Sequence, residues 1–234
     1  DRLSGYSLNT FTMDAMQVQA AISALYGSDA VEAARANTFL MEFTELPAAW
    51  SISIELLSAQ GALESASPLH YFAANTIYTK VRKHWHQLEA EHRDQLGAVI
   101  LQLLRRTPSA PPSPGLGATA PQLLPFAPVV VGRLCLALAA VAVRAPNGVE
   151  AYVREAFALS QSAPAAAGQV GNVALSLQMI KILPQEVDGA DLSRARRLEL
   201  QDQVREHTST VLHALESVMA GCVAEPPAGP EHGD

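Results

Sequence analysis

Residues 126–143 read FAPVVVGRLCLALAAVAV, and the interpretation of this apolar stretch decides the fold. A helix needs about 20 consecutive apolar residues to cross a membrane. Here Pro128 stands near the start and Arg133 interrupts the run, so the uninterrupted apolar part is confined to residues 134–143. That part is too short for a membrane span. We therefore predict a helix that is buried inside a helical protein, with a membrane protein as the alternative.

Apolar residues recur at helical spacing on both sides of this stretch, and their pattern predicts nine helices. Asp29 and Glu32 open the second helix at capping-box spacing. Pro184 is predicted to end the eighth helix. The apolar stripes of the nine helices are, in chain order, Val18, Ile22 and Leu25; Ala33, Ala36, Leu40 and Phe43; Trp50, Ile54 and Leu57; Ala73, Ile77 and Val81; Leu96, Val99, Ile100 and Leu103; Val130, Leu134, Leu138 and Val141; Val149, Tyr152, Val153 and Ala156; Val173, Leu177, Ile180 and Leu183; and Val204, Val211, Leu215, Val218 and Cys222.

Two or three helices fall within each ~40–47 residues, which is typical of HEAT and armadillo repeats. No alternating strand pattern competes with the helices. The predicted fold class is all-α, an α-α superhelix (a HEAT/armadillo-like solenoid of antiparallel helix pairs), and an ordinary helical bundle is the alternative. We predict helical repeats over residues 1–106 and 126–224. A Pro/Gly-rich loop insert occupies 107–125, and a disordered tail or linker occupies 225–234.

Composition and charge narrow the class of protein. Apolar residues make up 49% of the 234 residues and aromatic residues only 6%, which favours helices packed through small aliphatic side chains. Cys135 and Cys222 are expected to be reduced and to act as small core residues in an intracellular protein. There is no signal-peptide pattern, and because the chain opens with Asp1 we expect a fragment of a longer protein.

The net charge of −7 is unevenly distributed. Residues 1–65 contain eight acidic and two basic side chains, a net charge of −6. Such a region repels a phosphate backbone, so nucleic acid is not expected as a direct partner. A basic protein surface is one interpretation, and a solvated acidic face that serves solubility is the other.

Motifs for catalysis are absent from the sequence, which holds no phosphate-binding loop and no nucleophile elbow. His84, His86 and His92 come nearest to a metal cluster. Residues two apart on a helix point in different directions, so we predict no metal site and no cofactor. Arg194, Arg196 and Arg197 open the last helix, where local pairing with acids is favoured over an acidic partner.

One polar stripe carries residue types that anchor protein interfaces. Tyr71, Asn75, Tyr78 and Arg82 share a face of the fourth helix, opposite the apolar stripe that begins at Ala73. Tyr and Arg are enriched at interface hot spots. Packing against neighbouring helices is the alternative role for these side chains.

Several segments together resemble the N-terminal region of importin-β-type proteins, in the transportin-SR (Mtr10-like) branch. The resemblance runs in order from about Met13 to Cys222. It is carried by residues 35–43 (RANTFLMEF), Trp50, residues 71–76 (YFAANT), residues 129–139 (VVVGRLCLALA), residues 182–187 (ILPQEV) and residues 196–199 (RRLE). The 107–125 insert looks longer than the family's usual connection.

The resemblance implies a nuclear transport receptor that catalyses nothing and shuttles between cytoplasm and nucleus. Its partners would be Ran-GTP, protein cargo such as Arg/Ser-rich splicing factors, and nucleoporins, with no membrane contact. Ran-GTP would bind the second helices of the pairs, here about 29–45, 67–84 and 126–144. A HEAT-repeat scaffold or adaptor unrelated to transport is the alternative. The candidate partner-binding residues are Glu32, Arg35, Tyr71, Asn75, Tyr78 and Arg82.

Overall fold

The computed structural model describes residues 14–59, 67–105, 126–161, 169–213 and 216. Within these ranges the secondary structure is helical, and a 3-10 turn at Trp85–Gln87 follows the fourth α-helix. The α-helices are α1 (Ala15–Leu25), α2 (Ala30–Glu45), α3 (Ala49–Ser58), α4 (Ser67–His84), α5 (Ala90–Leu104), α6 (Pro128–Arg144), α7 (Gly148–Gln161), α8 (Gln169–Gly189) and α9 (Arg194–Glu206).

The helices pack in consecutive pairs, and the pairs stack. Helix α1 lies against α2, α3 against α4, α5 against α6, and α7 against α8. The second helices also pack on one another, α4 on α6 and α6 on α8, whereas α3, α5 and α7 make few contacts among themselves. Helices lie closer together on the inside of a curve, so we call α2, α4, α6 and α8 the inner layer, and α1, α3, α5, α7 and α9 the outer layer. The predicted HEAT-like solenoid is confirmed.

Short polar side chains cap the starts of α1, α2 and α9. Asp14 caps α1 in a capping box with Gln17. The Asp29 carboxylate accepts the backbone N–H groups of Val31 (2.8 Å) and Glu32 (3.3 Å), which confirms Asp29 as the predicted cap of α2. The return bond from the Glu32 side chain, which would complete the predicted capping box, does not form between these two described residues. Each such cap satisfies amide groups that have no partner inside the helix.

Helix α6 is the centre of the core. Its residues are buried against α4, α5, α7 and α8, including every residue from 137 to 143. Among the helices that the structure describes, none is both long and apolar enough to span a membrane. Cys135 is fully buried, and burial raises the pKa of its thiol to about 12, so this cysteine acts as a core residue as predicted. Cys222 lies outside the described residues.

Helix α8 corrects the prediction that Pro184 ends it. The helix contains Pro184 in its interior and continues to Gly189. The predicted stripe is partly wrong too, because Leu177 is exposed and the buried face instead consists of Leu175, Met179, Ile182, Leu183 and Val187. A proline removes one helical hydrogen bond. The turn after Pro184 is buried against other helices, since Glu186 and Val187 are both buried. We attribute the continuation of the helix to these tertiary contacts, which a rule based on the local sequence does not include.

Helices α6 and α7 meet at a very close turn. Asn147 has a φ of 53°, in the left-handed region where asparagine is tolerated better than most residues. Gly148 then begins α7 with its backbone against Ala142 of α6. A Cβ atom at Gly148 would lie 2.8 Å from Ala142 Cα and closer still to the carbonyl oxygen of the same residue. The short turn predicted at 146–148 therefore requires a residue without a Cβ atom at position 148.

A buried lysine joins the first two repeats. Lys80 of α4 has no solvent exposure. Its Nζ donates to the carbonyl oxygens of Leu46 (2.9 Å) and Thr44 (3.3 Å), and it lies 5.4 Å from the centre of the Trp50 ring. The ammonium group thus satisfies carbonyls at the C-terminal end of α2, where a positive charge is favoured. Burial lowers the pKa of Lys80.

The predicted loop insert at 107–125 and the predicted tail at 225–234 lie outside the described residues, as do Leu215 and Val218 of the last apolar stripe. Val204 and Val211 of that stripe are half-buried.

Candidate partner-binding face

The polar stripe predicted on α4 occupies one side of that helix. Tyr71, Asn75 and Tyr78 are half-buried, and the Arg82 side chain is 35% exposed. On the opposite side Ala73, Ile77 and Val81 have no exposure, as predicted. Tyr71, Tyr78 and Arg82 make hydrogen bonds to α6 or α8, so this side of α4 faces the neighbouring helices of the inner layer. We call these four residues the α4 stripe.

The first part of the α4 stripe holds an arginine from α6. Arg133 donates a hydrogen bond from Nη2 to the Tyr71 hydroxyl at 2.8 Å. Its guanidinium lies 5.4 Å from the centre of the Tyr71 ring and 5.5 Å from that of Tyr78. Both distances are within the range of cation–π attraction. Two tyrosines therefore fix the position of one arginine.

The second part of the stripe reaches across to α8. The Tyr78 hydroxyl donates to Glu186 Oε2 at 3.0 Å and accepts from Arg82 Nη1 at 3.0 Å. Arg82 Nη2 also donates to the Gly189 carbonyl at 2.6 Å. The α4 stripe thus contacts the last turn of a helix two repeats further along the chain.

Glu186 is the shared anion of this cluster. It is only 2% exposed, and its Oε1 lies 3.8 Å from Arg144 Nη1 and 3.9 Å from Arg82 Nε without a hydrogen bond to either. Arg144 is largely buried and donates to the carbonyl oxygens of Ala140 (2.9 Å) and Arg82 (3.5 Å). We call Tyr78, Arg82, Arg144 and Glu186 the inner-layer clasp, because they join α4, α6 and α8.

The ionisation of the clasp reflects burial and the shared carboxylate. Burial, followed by the charge and hydrogen bond of Glu186, raises the pKa of Tyr78. Burial lowers the pKa of Arg144, and the nearby Glu186 opposes that shift. Buried charges of this kind are stable only when paired. The clasp is therefore an internal connection as well as part of a surface.

Sequence reasoning missed three members of this region: Arg133, Arg144 and Glu186. Each is a charged residue inside or beside an apolar run, and a charge in such a place is rarely buried without a partner. That signal was visible in the sequence. The identity of the partners was not, because they lie on other helices.

Glu32 and Arg35 lie elsewhere, on α2. Both are exposed, and in the described part of the chain neither contacts the α4 stripe. Around them Val31 and Met41 are 61% and 64% exposed. Among residues 14–59 the six acidic side chains, Asp14, Asp29, Glu32, Glu42, Glu45 and Glu55, are all exposed, and Arg35 is the single base. The six predicted residues therefore form two separate groups.

The histidines and the arginine cluster have local partners. His84 Nε2 lies 3.1 Å from Glu45, and His92 lies 3.9 Å from Glu89. In the ranges that the structure describes, no group of His, Cys, Asp and Glu has the geometry of a metal site. Arg196 pairs with Glu199 at 2.8 Å, so the predicted local pairing is confirmed for that residue.

A groove of about 330 Å³ opens in the outer layer. It lies between α5 and α7, over the C-terminal half of α6. Leu101, Leu138 and Val141 contribute apolar walls, while Gly97 and Ala142 leave the space unfilled. The groove forms because the outer-layer helices α5 and α7 make few contacts with each other.

Comparison with known proteins agrees with this architecture. The family described as Importin-beta N-terminal domain matches residues 36–106, from the first half of α2 through α5. Importin-13 of Bos taurus is 23% identical over 211 residues, which are 89% of this chain and 20% of the relative. Importin-13 of Mus musculus is 23% identical over 185 residues, 79% of this chain and 17% of the relative.

A more distant organism gives a similar match. Importin-13 homolog A of Dictyostelium discoideum is 23% identical over 223 residues, 90% of this chain and 18% of the relative. The chain spans about a fifth of the length of the curated relatives it matches. The relatives' similarity extends well beyond the family match at 36–106 and includes α6, which carries Arg133 and Arg144.

Proposed function

We propose that this chain belongs to the importin-β superfamily of nuclear transport receptors, whose members are not enzymes, and that it supplies the Ran-GTP-binding repeats of such a receptor. The proposal follows from the family match together with the position of the second helices. Helices α2, α4 and α6 begin and end within two residues of the segments that the resemblance assigns to Ran contact. They also belong to one layer of the solenoid.

The surface of α2 supports a basic protein partner. Its exposed side carries Glu32 and Glu42 beside the exposed apolar residues Val31 and Met41. Apolar contact area surrounded by charge is the usual composition of a protein interface. The excess of acids over bases in this first repeat attracts a basic surface and speeds its association.

Further partners are proposed on the resemblance. Protein cargo, including Arg/Ser-rich splicing factors, would be carried between cytoplasm and nucleus by a receptor that contains this chain. Nucleoporins would bind the receptor during passage. For them the groove between α5 and α7 offers an apolar surface in the outer layer. The transportin-SR branch remains a prediction, since the relatives described above are Importin-13 proteins.

Binding to Ran tests the proposal directly. The immobilised chain of 234 residues is incubated with Ran loaded with a non-hydrolysable GTP analogue or with GDP, and the bound fraction is titrated. We expect selective binding of the GTP form. We expect the double substitution Glu32→Lys and Glu42→Lys to weaken it about tenfold or more, since each reversed charge at an interface costs on the order of 1 kcal/mol.

The matched control is Glu55→Lys. It makes the same charge change in the same acidic region, but on the exposed surface of the outer-layer helix α3. We expect its affinity to equal that of the unchanged chain within twofold. If the folded chain binds both nucleotide forms equally or neither of them, the Ran proposal is wrong and a HEAT-repeat scaffold becomes the better interpretation.

A further inference from the structure

We propose that the inner layer carries a second recognition surface, of the opposite charge preference, which binds the carboxylates of an acidic protein segment. The surface consists of Tyr71, Asn75 and Tyr78 of α4 with Arg133 of α6, and Arg82 lies at its end. This inference does not rest on the proposed function, because it requires neither Ran nor cargo. It rests on two observations: the tyrosines orient Arg133, and no carboxylate of the described residues pairs with it.

Arg133 is the cation that anchors this surface. Among the described residues no carboxylate lies within ion-pair distance of its guanidinium, whereas Arg82 and Arg144 both lie near Glu186. A guanidinium carries five N–H donors, and among the described residues one of them is used, for the Tyr71 hydroxyl. Arg133 is half-buried and therefore retains access to solvent. Its remaining donors are available to an incoming anion.

The two tyrosines hold this arginine in place before any ligand arrives. The Tyr71 and Tyr78 rings lie 5.4 Å and 5.5 Å from the guanidinium, and the Tyr71 hydroxyl adds a hydrogen bond. A free arginine side chain loses much rotamer freedom when it binds a partner. Here most of that ordering is already complete, which favours tight binding of a carboxylate by the planar donor fork.

The charge balance of the neighbourhood is positive. Arg82 and Arg144 lie 3.9 Å and 3.8 Å from one buried carboxylate, that of Glu186, whereas Arg133 pairs with no carboxylate of the described residues. Asp191 adds a more distant negative charge near Arg82 and Arg144. Even with both acids counted, one positive charge remains, and it resides at Arg133. An anionic side chain of a partner would neutralise it.

The shape of the surface suits an extended polypeptide. Tyr71, Asn75 and Tyr78 follow one another along one face of α4, each about one turn from the next. The Asn75 side chain makes no hydrogen bond to another described residue and offers both a donor and an acceptor. It is therefore placed to bind a peptide backbone beside a carboxylate held by Arg133. Nucleic acid is the less suitable ligand, because the chain as a whole has a net charge of −7.

Fluorescence anisotropy with the whole chain tests the inference. The probes are a dye-labelled 12-residue peptide of Asp, Glu and Gly, the same peptide with Asn and Gln in place of the acids, and a 12-nucleotide oligothymidine. We expect the acidic peptide to bind, with affinity that falls as salt is raised, and the other two to bind at least about tenfold more weakly.

Variants locate the site. Arg133→Gln removes the anchoring charge and is expected to weaken acidic-peptide binding about tenfold. Tyr71→Phe keeps the ring and every charge but removes the hydroxyl that orients Arg133, and is expected to weaken binding about threefold. Arg154→Gln is the matched control, because it deletes an exposed arginine of the outer-layer helix α7 whose ion-pair partner among the described residues is Glu150 at 3.9 Å. Its affinity should be unchanged.

Each result is decisive for the inference. Loss with Arg133→Gln and Tyr71→Phe together, with Arg154→Gln unchanged, supports the site. Equal weakening by Arg133→Gln and Arg154→Gln means a diffuse charge effect and overturns it. So does equal binding of the acidic and amide peptides, or preferential binding of the oligonucleotide. If Arg133→Gln does not fold, Tyr71→Phe and Arg133→Lys carry the test, and wild-type affinity in both overturns the inference.

Discussion

Gly148→Ala is expected to lower the free energy of unfolding by about 3 kcal/mol, the upper range of what an inserted methyl group costs in a packed structure. The new Cβ atom would lie 2.8 Å from Ala142 Cα and nearer still to the Ala142 carbonyl oxygen. Both atoms belong to the backbone of α6, so no flexible side chain can move aside. Relief requires a shift of α7 against α6, which disturbs the contact between the third and fourth repeats.

Thermal unfolding followed by circular dichroism measures this effect. A domain of this size loses about 2–4 °C in Tm per kcal/mol, so we expect a decrease of roughly 6–12 °C. The matched control is Gly97→Ala in α5, where the added Cβ would meet Val141 Cγ1 at 3.6 Å, an ordinary contact distance. Alanine is the better helix former, so that variant should be neutral or up to about 1 kcal/mol more stable. Equal Tm values for the two variants would contradict the described turn.

The second large effect is expected for Glu186→Gln. The substitution keeps an acceptor for the Tyr78 hydroxyl but removes the charge that faces Arg144 and Arg82. Removing one member of a buried charged group leaves the others uncompensated, and we expect a loss of about 3 kcal/mol in the free energy of unfolding. Arg82 is partly exposed and contributes less to this loss than the largely buried Arg144, since solvent screens its charge.

Two further variants separate charge from packing. The double variant Glu186→Gln with Arg144→Met removes the stranded cation as well, and it should be more stable than Glu186→Gln alone. Glu199→Gln is the control for a surface ion pair, because Glu199 is 55% exposed beside Arg196, and its loss should cost less than about 1 kcal/mol. Equal destabilisation by Glu186→Gln and Glu199→Gln would mean that the clasp has no special role.

The sequence predicts most of the helices correctly, because the buried face of a helix shows in the spacing of its own apolar residues. Ala73, Ile77 and Val81 repeat at helical spacing and are all fully buried. The prediction fails at Pro184, where the local rule for proline is outweighed by contacts with residues far along the chain. A helix boundary is settled by the sum of local and tertiary terms, and only the local ones can be read directly.

The candidate site was predictable only in part. The α4 stripe follows from spacing within one helix. Its contacts do not: Tyr71 meets Arg133 across 62 residues, and Tyr78 meets Glu186 across 108. These pairs depend on how three repeats stack, which faint repeat similarity does not define. The sequence therefore indicates a polar face on α4, while its use as an internal clasp and its anchoring arginine emerge only from the fold.

The reactivity of the buried Lys80 reports how often the junction of the first two repeats opens. The chain contains three lysines, of which Lys83 and Lys181 are exposed while Lys80 is sealed between α2, α3 and α4. An amine-acylating reagent therefore modifies the two exposed side chains at once. It reaches the third only during the moments when the junction of the first two repeats opens. The acylation rate of Lys80, followed by mass spectrometry, would measure how often that junction opens. A bound partner that keeps the junction closed would lower this rate.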